Sequence, residues 1–484
     1  MLVKLGTDIN LIIFNMKSST NILKILICLL VFKLVVIESN GQWLETNIAL
    51  PAQASSRDLI YNPISNKIYG ANVPDVGMPS QRSVTIIDGN TNKIITTIQV
   101  AEGPRDFCHN TKNNSIYVAN YYADSVTVID GVSDKIIAIV PAGDGPRALC
   151  YNSVDNKIYC ANEFSNNVTI IDGATNKVIT TVAVGTTPRV ICYNDISNKI
   201  YCPNAGSKNL TIIDGATNSV VATVTTGNMP RGIVFNPANN KIYCTNYSSN
   251  NVSVIDGVTN AVVSTISVGA GPTALFHNPI GNKIYCGNMG EPGPETPTAC
   301  TISVIDATTN FVIKTITTGD EPMAFAFSPV TKKVYWINEW SHNLVVANAA
   351  NDSIIKIISL GSPPVQPVDI CYNPVNERVY TANRLTYNIS VIKDDLSTTN
   401  IDYTEGLKNS FVIYPNPASE YISVSEVFLN EISYNIFNIQ GSIIKTGKTS
   451  NMKIDVKQLQ QGMYLLQLND LNGNSIVCKF LIHK

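Results

Sequence analysis

A repeat of constant length governs what this chain can fold into. The tetrad Ile/Val-Ile-Asp-Gly ends at Gly89, Gly131, Gly173, Gly215 and Gly257, each 42 residues after the last, and a sixth copy ends at Ala307. A second mark, Tyr-x-x-Asn, occurs eight times: Tyr69/Asn72, Tyr117/Asn120, Tyr159/Asn162, Tyr201/Asn204, Tyr243/Asn246, Tyr285/Asn288, Tyr335/Asn338 and Tyr380/Asn383. An array of fixed period builds its core between neighbouring copies, so the unit has to be read before the chain.

Residues 147–184 serve as the unit. Four β-rich runs, RALCYN, KIYCAN, NVTIID and KVITTVAV, are separated by short turns such as SVDN and GATN. Asn, Asp, Ser and Gly are the residues tight hairpins need. Four antiparallel strands in about 42 residues is the pattern of a β-propeller blade, whereas solenoid coils are shorter and tandem sandwiches longer. Eight sets of the first three strands are readable, the last over Val368–Asp394, which has no fourth strand after it. The segment Trp43–Leu50 aligns with the fourth strand Lys93–Val100, and its placement on the last set would pair both open edges. The expected fold is all-β: an eight-bladed propeller over residues 43–395, or seven blades if the last set is degenerate.

The tyrosine-asparagine strand inside a unit ending in VIDG resembles the YVTN-type β-propeller repeat, over roughly 350 residues of this chain. The chain departs from the namesake tetrapeptide by placing Cys, Ala or Gly at its middle positions, and Pro203 is unusual inside a strand because it has no N–H for the ladder.

The ends carry an address. Lys17 and Lys24 precede an apolar run from Ile25 to Ile37 broken by Lys33, and Ser39 and Gly41 sit at the −3 and −1 positions before Gln42. This is the grammar of a cleaved secretory signal over residues 1–41, with Met16 as an alternative start and an uncleaved anchor as the rival reading. Once cleaved, no stable transmembrane span is expected. Residues 396–409 are polar and read as a linker. From Ser410 the pattern becomes alternating apolar residues with Gly-rich turns, which suggests a small β-sandwich over 410–484. Tyr414-Pro415-Asn416-Pro417, Gly441, Ile454-Asp455-Val456, Leu459, Gly462-Met463-Tyr464 and Lys479-Phe480 make this tail resemble the type A C-terminal sorting domain of the type IX secretion system of Bacteroidetes. The resemblance implies export through the periplasm, contact with the secretion machinery through residues 410–484, and release or attachment at the outer surface.

Candidate site residues are few. Of eleven cysteines, Cys150/Cys160 and Cys192/Cys202 fall in facing slots of adjacent strands and are candidate disulfides in an exported protein, if they do not simply fill space between blades. Arg57, Arg105, Arg147, Arg189 and Arg231 open the first strand of five consecutive units. That strand is innermost in a propeller, so the five would ring one mouth of the channel, or else cement the ring by pairing with neighbouring blades. Two long insertions, Val73–Arg82 and Met289–Cys300, fall on the same face, as do Trp340 and His342. The recurring Asp of VIDG precedes a turn whose N–H groups it can accept, a structural role. His109 and His277 occupy slots held elsewhere by Tyr or Phe, so they read as packing residues. No phosphate loop, metal cluster, cofactor motif or catalytic triad is legible, and no cofactor is expected.

Composition narrows the functions. The chain is 44% hydrophobic and only 14% charged, with a net charge of −2. That excludes a strongly basic nucleic-acid binder. The leading expectation is a non-catalytic secreted or cell-surface propeller that binds a protein or a glycan. The alternatives are a propeller enzyme (lactonase, lyase or dehydrogenase-like) and a structural matrix protein. Asp124-Ser-Val and Asp352-Ser-Ile match a short bacterial O-glycosylation pattern.

Overall fold

The computed structural model describes residues 42–51, 54–73, 82–290, 299–362, 365–394, 413–414, 418–424, 432–438, 442–449, 453–469 and 475–482. The expected signal, the linker and most of both insertions (74–81 and 291–298) lie outside the described residues.

Between Trp43 and Lys393 the described chain forms eight four-stranded antiparallel sheets, numbered here 1 to 8 in chain order, with strands a to d in each. Sheet 3 is typical: Pro146–Asn152, Lys157–Asn162, Asn167–Asp172 and Lys177–Ala183. Sheet 8 has strands a to c at Pro367–Asn373, Arg378–Asn383 and Asn388–Lys393. Its fourth strand is Trp43–Ala49, paired antiparallel with Asn388–Lys393. Strand a of each sheet lies against strand a of the next, and strand a of sheet 8 lies against that of sheet 1. The architecture is that of a β-propeller.

Burial follows from this arrangement. Strands b and c are covered on both faces, while strand d is largely exposed, as in sheet 3. The eight tyrosines of Tyr-x-x-Asn are all fully buried. Core clusters span neighbouring sheets: Cys108, Tyr117 and Val126 of sheet 2 pack with Leu149, Ile158 and Ile171 of sheet 3. Tyr380, Ala382 and Ile389 of sheet 8 pack in the same way with Leu59, Ile68 and Ile87 of sheet 1.

Polar chemistry aligns the sheets. Seven of the eight a–b turns are opened by an asparagine whose Oδ1 accepts turn N–H groups, as Asn152 does from Val154 and Asp155 (both 3.0 Å), and Ser328 takes this place in sheet 7. The asparagine Nδ2 then donates across to the αL asparagine of the next sheet. Examples are Asn62 to Asn114 and Asn110 to Asn156 (both 2.9 Å), Asn194 to Asn240 (2.7 Å), and Asn373 to Asn66 across the closure (2.9 Å). The buried tyrosine reaches the next sheet's c–d turn, as Tyr159 does to the Gly215 carbonyl and Asn218 (both 3.2 Å). Within those turns the Asp of VIDG accepts local N–H groups, for example from Ala174 and Thr175 to Asp172.

Pro203 leaves a visible trace. Strand a of sheet 4 is only Cys192–Asn194, and the segment before it touches strand b through the single Pro188–Asn204 bridge. A proline in strand b gives no N–H to that part of the ladder.

The tail folds into two sheets: Ile413–Tyr414, Tyr421–Val424 and Lys453–Asp455 in one, and Ile443–Thr449, Ile432–Phe437, Gly462–Asn469 and Ser475–Ile482 in the other. Ile422 and Ile454 of the first share a core with Tyr434, Ile436, Leu466 and Phe480 of the second. This is the expected small sandwich.

The junction of sheets 7 and 8 differs from the rest. Lys333 Nζ and Asp394 Oδ1 form an ion pair at 2.9 Å with both side chains fully buried, and Thr331 Oγ1 donates to the other carboxylate oxygen at 2.6 Å. Gln42, just ahead of the closing strand, donates to the same carboxylate at 3.4 Å. Breaking a buried pair leaves an uncompensated charge, so Asp394→Ala is expected to cost about 3–5 kcal/mol in guanidinium unfolding. Val221→Thr on an exposed outer strand should stay within about 0.5 kcal/mol.

Candidate functional site

The arginine row stands on β-bulges. In the a–b pairing the register skips Arg57 between Ser56 and Asp58, Arg105 between Pro104 and Asp106, and Arg147 between Pro146 and Ala148. In sheet 5 it skips Arg231 and Gly232 together, and Arg189 precedes the shortened strand of sheet 4. A bulge leaves one residue unpaired and re-aims its side chain. The b–c turn is tied to the same place. In sheets 2 to 8 the residue after Tyr-x-x-Asn donates its N–H to the connection ahead of strand a, for example Tyr121 to Gly103 (2.8 Å), Glu163 to Gly145 (2.8 Å), Tyr247 to Met229 (3.0 Å) and Arg384 to Gln366 (2.9 Å). Arginines and b–c turns therefore share one face.

Their partners differ. Glu163, 4% exposed, accepts Arg147 Nη1 at 2.7 Å, Arg189 Nε at 2.8 Å and the Tyr121 hydroxyl at 2.9 Å. Burial pushes its carboxyl up, but Arg147, the Tyr121 hydroxyl and Arg189 together hold it below the ordinary range. Arg105 lies over the Tyr121 ring (4.7 Å) and Arg231 over the Tyr247 ring (4.0 Å), cation–π contacts worth about 0.5–2 kcal/mol each. Arg57 is driven down to about 10 by burial and by the charges of Arg384 and Arg105. Among the described residues Arg57, Arg105 and Arg231 have no carboxylate within ion-pair distance. Arg384 sits 3.9 Å from Glu339, a long contact.

Aromatic rings crown the same face. Tyr122 is 68%, Phe164 57% and Trp340 53% exposed, each two residues after the Asn of its strand b. Tyr122 and Phe164 both contact Tyr121, at centroid distances of 5.0 and 5.5 Å. His342 does not belong with them. It takes the αL position of its turn (φ 53°), and its Nδ1 accepts the Gln366 N–H at 3.3 Å. Asn166 Oδ1 does the same for Thr187 (2.8 Å), so His342 is a turn cap in place of an asparagine.

The candidate disulfides are not formed. Cys150 pairs with Tyr159 and Leu149 with Cys160, so the thiols of Cys150 and Cys160 point to opposite faces of sheet 3. Cys192 likewise pairs with Tyr201, one residue short of Cys202. The nine cysteines between Cys108 and Cys371 are free thiols, and burial raises the pKa of each. His109 stands in for a tyrosine, since its Nε2 is 3.0 Å from Asn114 Oδ1, as the Tyr151 hydroxyl is 3.2 Å from Asn156 Oδ1.

Sequence reasoning missed an acidic group. Asp58, Asp106 and Asp369 follow the bulged residue in sheets 1, 2 and 8, which are consecutive only once the ring closes. Each turns to the next sheet's strand a. The Leu59 N–H donates to Asp369 Oδ2 (2.8 Å), Leu149 to Asp106 Oδ2 (2.6 Å) and Phe107 to Asp58. Burial, then the charges of Asp369 and Asp106, raises Asp58 far above the carboxylate range, and its protonated carboxyl donates to Asp369. Burial lifts Asp106 to about 7 and Asp369 to about 6 against the N–H donors that lower them. Among the described residues no three His, Cys, Asp or Glu side chains are arranged to hold a metal ion. The legible signal was the repeat slot itself, which reads Asp58, Asp106, Ala148, Val190, Gly232, Ala274, Ala324 and Asp369.

In the tail, Tyr464 is buried, stacks on Phe480 at 5.8 Å and donates its hydroxyl to the Gln460 carbonyl at 3.0 Å. Gly462 opens its strand with φ 155°, Tyr414 pairs with Ser423, and Lys479 pairs with Leu465. Pro415, Asn416, Pro417 and Gly441 lie outside the described residues.

Raised carboxyl pKa values mean that the folded protein holds protons the unfolded chain has released. Their stabilisation is complete below the unfolded value near 3.9 and is lost as pH rises, for Asp369 through about 6, for Asp106 through about 7 and for Asp58 at higher pH still. His109, which burial pushes down to about 4, works in the opposite sense. The difference between wild type and Asp58→Asn is therefore the measurement. Wild type should gain on the variant as pH falls from about 7.5 to about 5 in guanidinium midpoints.

Residues 412–483 match the family described as "Secretion system C-terminal sorting domain". Residues 130–262 match "Lactonase, 7-bladed beta-propeller". The chain is 27% identical over 90 residues to an endo-acting ulvan lyase of Formosa agariphila, covering 18% of this chain and 17% of that protein. Among solved structures it is similar to Kuenenia stuttgartiensis hydrazine synthase, with a TM-score of 0.48 and 17% identity over 72% of this chain and 97% of that one. No helix among the described residues is long and apolar enough to cross a membrane. The chain is thus a β-propeller carrying a C-terminal type IX sorting domain, secreted or attached to the outer surface.

Proposed function

We propose that this protein is an eight-bladed propeller that binds an extracellular protein or glycan through the arginine face, after loss of a signal ending at Gly41. The propeller spans residues 43–395, a linker follows over 396–409, and residues 410–484 engage the secretion machinery. Eight four-stranded sheets, the last completed by Trp43–Ala49, support the blade number. The seven-bladed family match covers little more than three sheets and does not count the ring.

The observation that carries the reading is the state of three guanidinium groups. Arg57, Arg105 and Arg231 are half-buried on one face without a carboxylate partner among the described residues, while Arg147 and Arg189 share Glu163. Desolvated cations held in place by bulges are poised for a ligand's acceptors. The triple variant Arg57→Gln, Arg105→Gln, Arg231→Gln should remain folded by circular dichroism. It should lose at least about tenfold in affinity for any partner recovered from extracellular matrix fractions. Unchanged affinity would refute the reading.

One observation favours catalysis as a second reading: the hydrogen-bonded carboxyls of Asp58 and Asp369, with Asp106 beside them, are the kind of pair that runs acid–base chemistry. They lie outside the lactonase-like segment. Turnover of lactones or polysaccharides by the full chain that falls with Asp106→Asn would establish it.

A further inference from the structure

We infer that the arginine face recognises an acidic glycan, a sugar chain bearing carboxylate or sulfate groups, stacked on Tyr122 and Phe164 with its anions on Arg57 and Arg105. This rests on the binding reading above and adds the chemical class of the ligand.

Two features occur side by side in consecutive sheets. The first is an aromatic ring backed by glycine. A Cβ on Gly103 would meet the Tyr122 ring at 2.7 Å, and one on Gly145 would meet the Phe164 ring at 2.8 Å. Both glycines have positive φ, 75° and 71°, so the connection stays bare and the ring lies directly on the backbone. With one side supported and more than half its surface exposed, each ring offers a flat apolar platform. The second is the guanidinium group next to it: Arg105 over Tyr121, which both platforms touch, and Arg57 in the neighbouring sheet.

An apolar face beside a fixed cation complements a pyranose carrying an oxyanion. The C–H face of the sugar stacks on the ring, and a planar or tetrahedral anion takes the two-pronged guanidinium bond. The unit recurs from one sheet to the next, which suits a polymer with regularly spaced charges. Glu163, the buried carboxylate in this arc, is matched by Arg147, Arg189 and the Tyr121 hydroxyl. Glu102 pairs with Arg82 at 2.9 Å and Asp124 accepts the Gly145 N–H at 3.1 Å, which leaves the exposed Asp144 beside Phe164, and Glu339 near Arg57, as the acids that the ligand's anions have to avoid. The Trp340 quarter differs. Asp320, Glu321 and Glu339 crowd together there, and burial with the neighbouring acid raises both Glu321 and Glu339. The inferred ligand therefore occupies the arc from sheet 1 to sheet 3.

The test uses the full secreted chain with four probes in calorimetry: polygalacturonate, dextran sulfate, uncharged dextran and poly-glutamate. At least one acidic glycan should bind at least about tenfold more tightly than dextran, and its affinity should fall about tenfold or more between roughly 50 mM and 500 mM salt. Arg105→Gln should lower it about tenfold. Tyr122→Ala with Phe164→Ala should lower glycan affinity by a similar factor and leave poly-glutamate unaffected. Equal binding of dextran, poly-glutamate binding as tight as the glycan and insensitive to the ring substitutions, or no binding of either acidic glycan would each overturn the inference. In those cases partner capture by the triple-arginine variant still decides the wider reading. Arg105→Lys, which keeps charge and fold, should recover only part of the affinity.

Discussion

The hydrogen bond from one sheet's turn asparagine to the next sheet's αL asparagine is the constraint on which the ring depends. Apolar packing between sheets is strong but has no direction, and two slabs of Ile, Val and Tyr can slide over one another. The Asn–Asn bonds fix both the rotation and the register of each sheet against its neighbour, because each donor is already held by its own turn. Asparagine suits both ends of this bond. It adopts αL readily, and its amide offers donor and acceptor together without a charge to desolvate. The low charge of the chain follows from that choice.

Where the asparagine is missing, the substitution is informative. Lys332 takes the αL position in sheet 7, and Asn278 donates instead to the Ala349 carbonyl at 2.7 Å. At the next junction the buried Lys333–Asp394 pair replaces the amide link. This junction is also where the two ends of the propeller segment meet, through Gln42 and the strand that follows it. A buried ion pair is a poor source of net stability but a strict condition on alignment, since neither charge tolerates a wrong partner. The seam without a covalent link lies inside sheet 8, between Asn388–Lys393 and Trp43–Ala49, and the Gln42–Asp394 bond crosses it beside the charged pair.

The sequence made legible whatever repeats with the ring. The buried tyrosines, the capping Asp of the c–d turns in sheets 1 to 6 and the closing N-terminal strand all stand where the period places them. What it hid depends on single-residue offsets and on closure. The Asx turn at Asn152 starts the hairpin with Asn152 opposite Lys157, which shifts the cysteines one residue out of register and onto opposite faces. The bulges that lift Arg57, Arg105 and Arg147 carry no composition signal beyond Pro-Arg, and Arg57 lacks even that. Asp58 and Asp369 lie more than three hundred residues apart, and only closure of sheet 8 against sheet 1 brings them together. His342 could not be told from a ligand until its turn was seen to need an acceptor.

The two faces of the propeller divide the physical work. The a–b and c–d turns carry the asparagine, tyrosine and lysine bonds between sheets, and the residues that make those bonds recur in most units. The b–c turns and the bulged starts of strand a carry few such bonds, so that face is free to hold groups that add nothing to stability. Half-buried guanidiniums without carboxylates and exposed rings beside them are costs that a regular scaffold elsewhere can bear. Local conflict on one face of an otherwise self-consistent array is the pattern on which the proposed binding reading rests. Here the unmatched guanidiniums lie in sheets 1, 2 and 5, and the crowded acids of sheet 7 share their face.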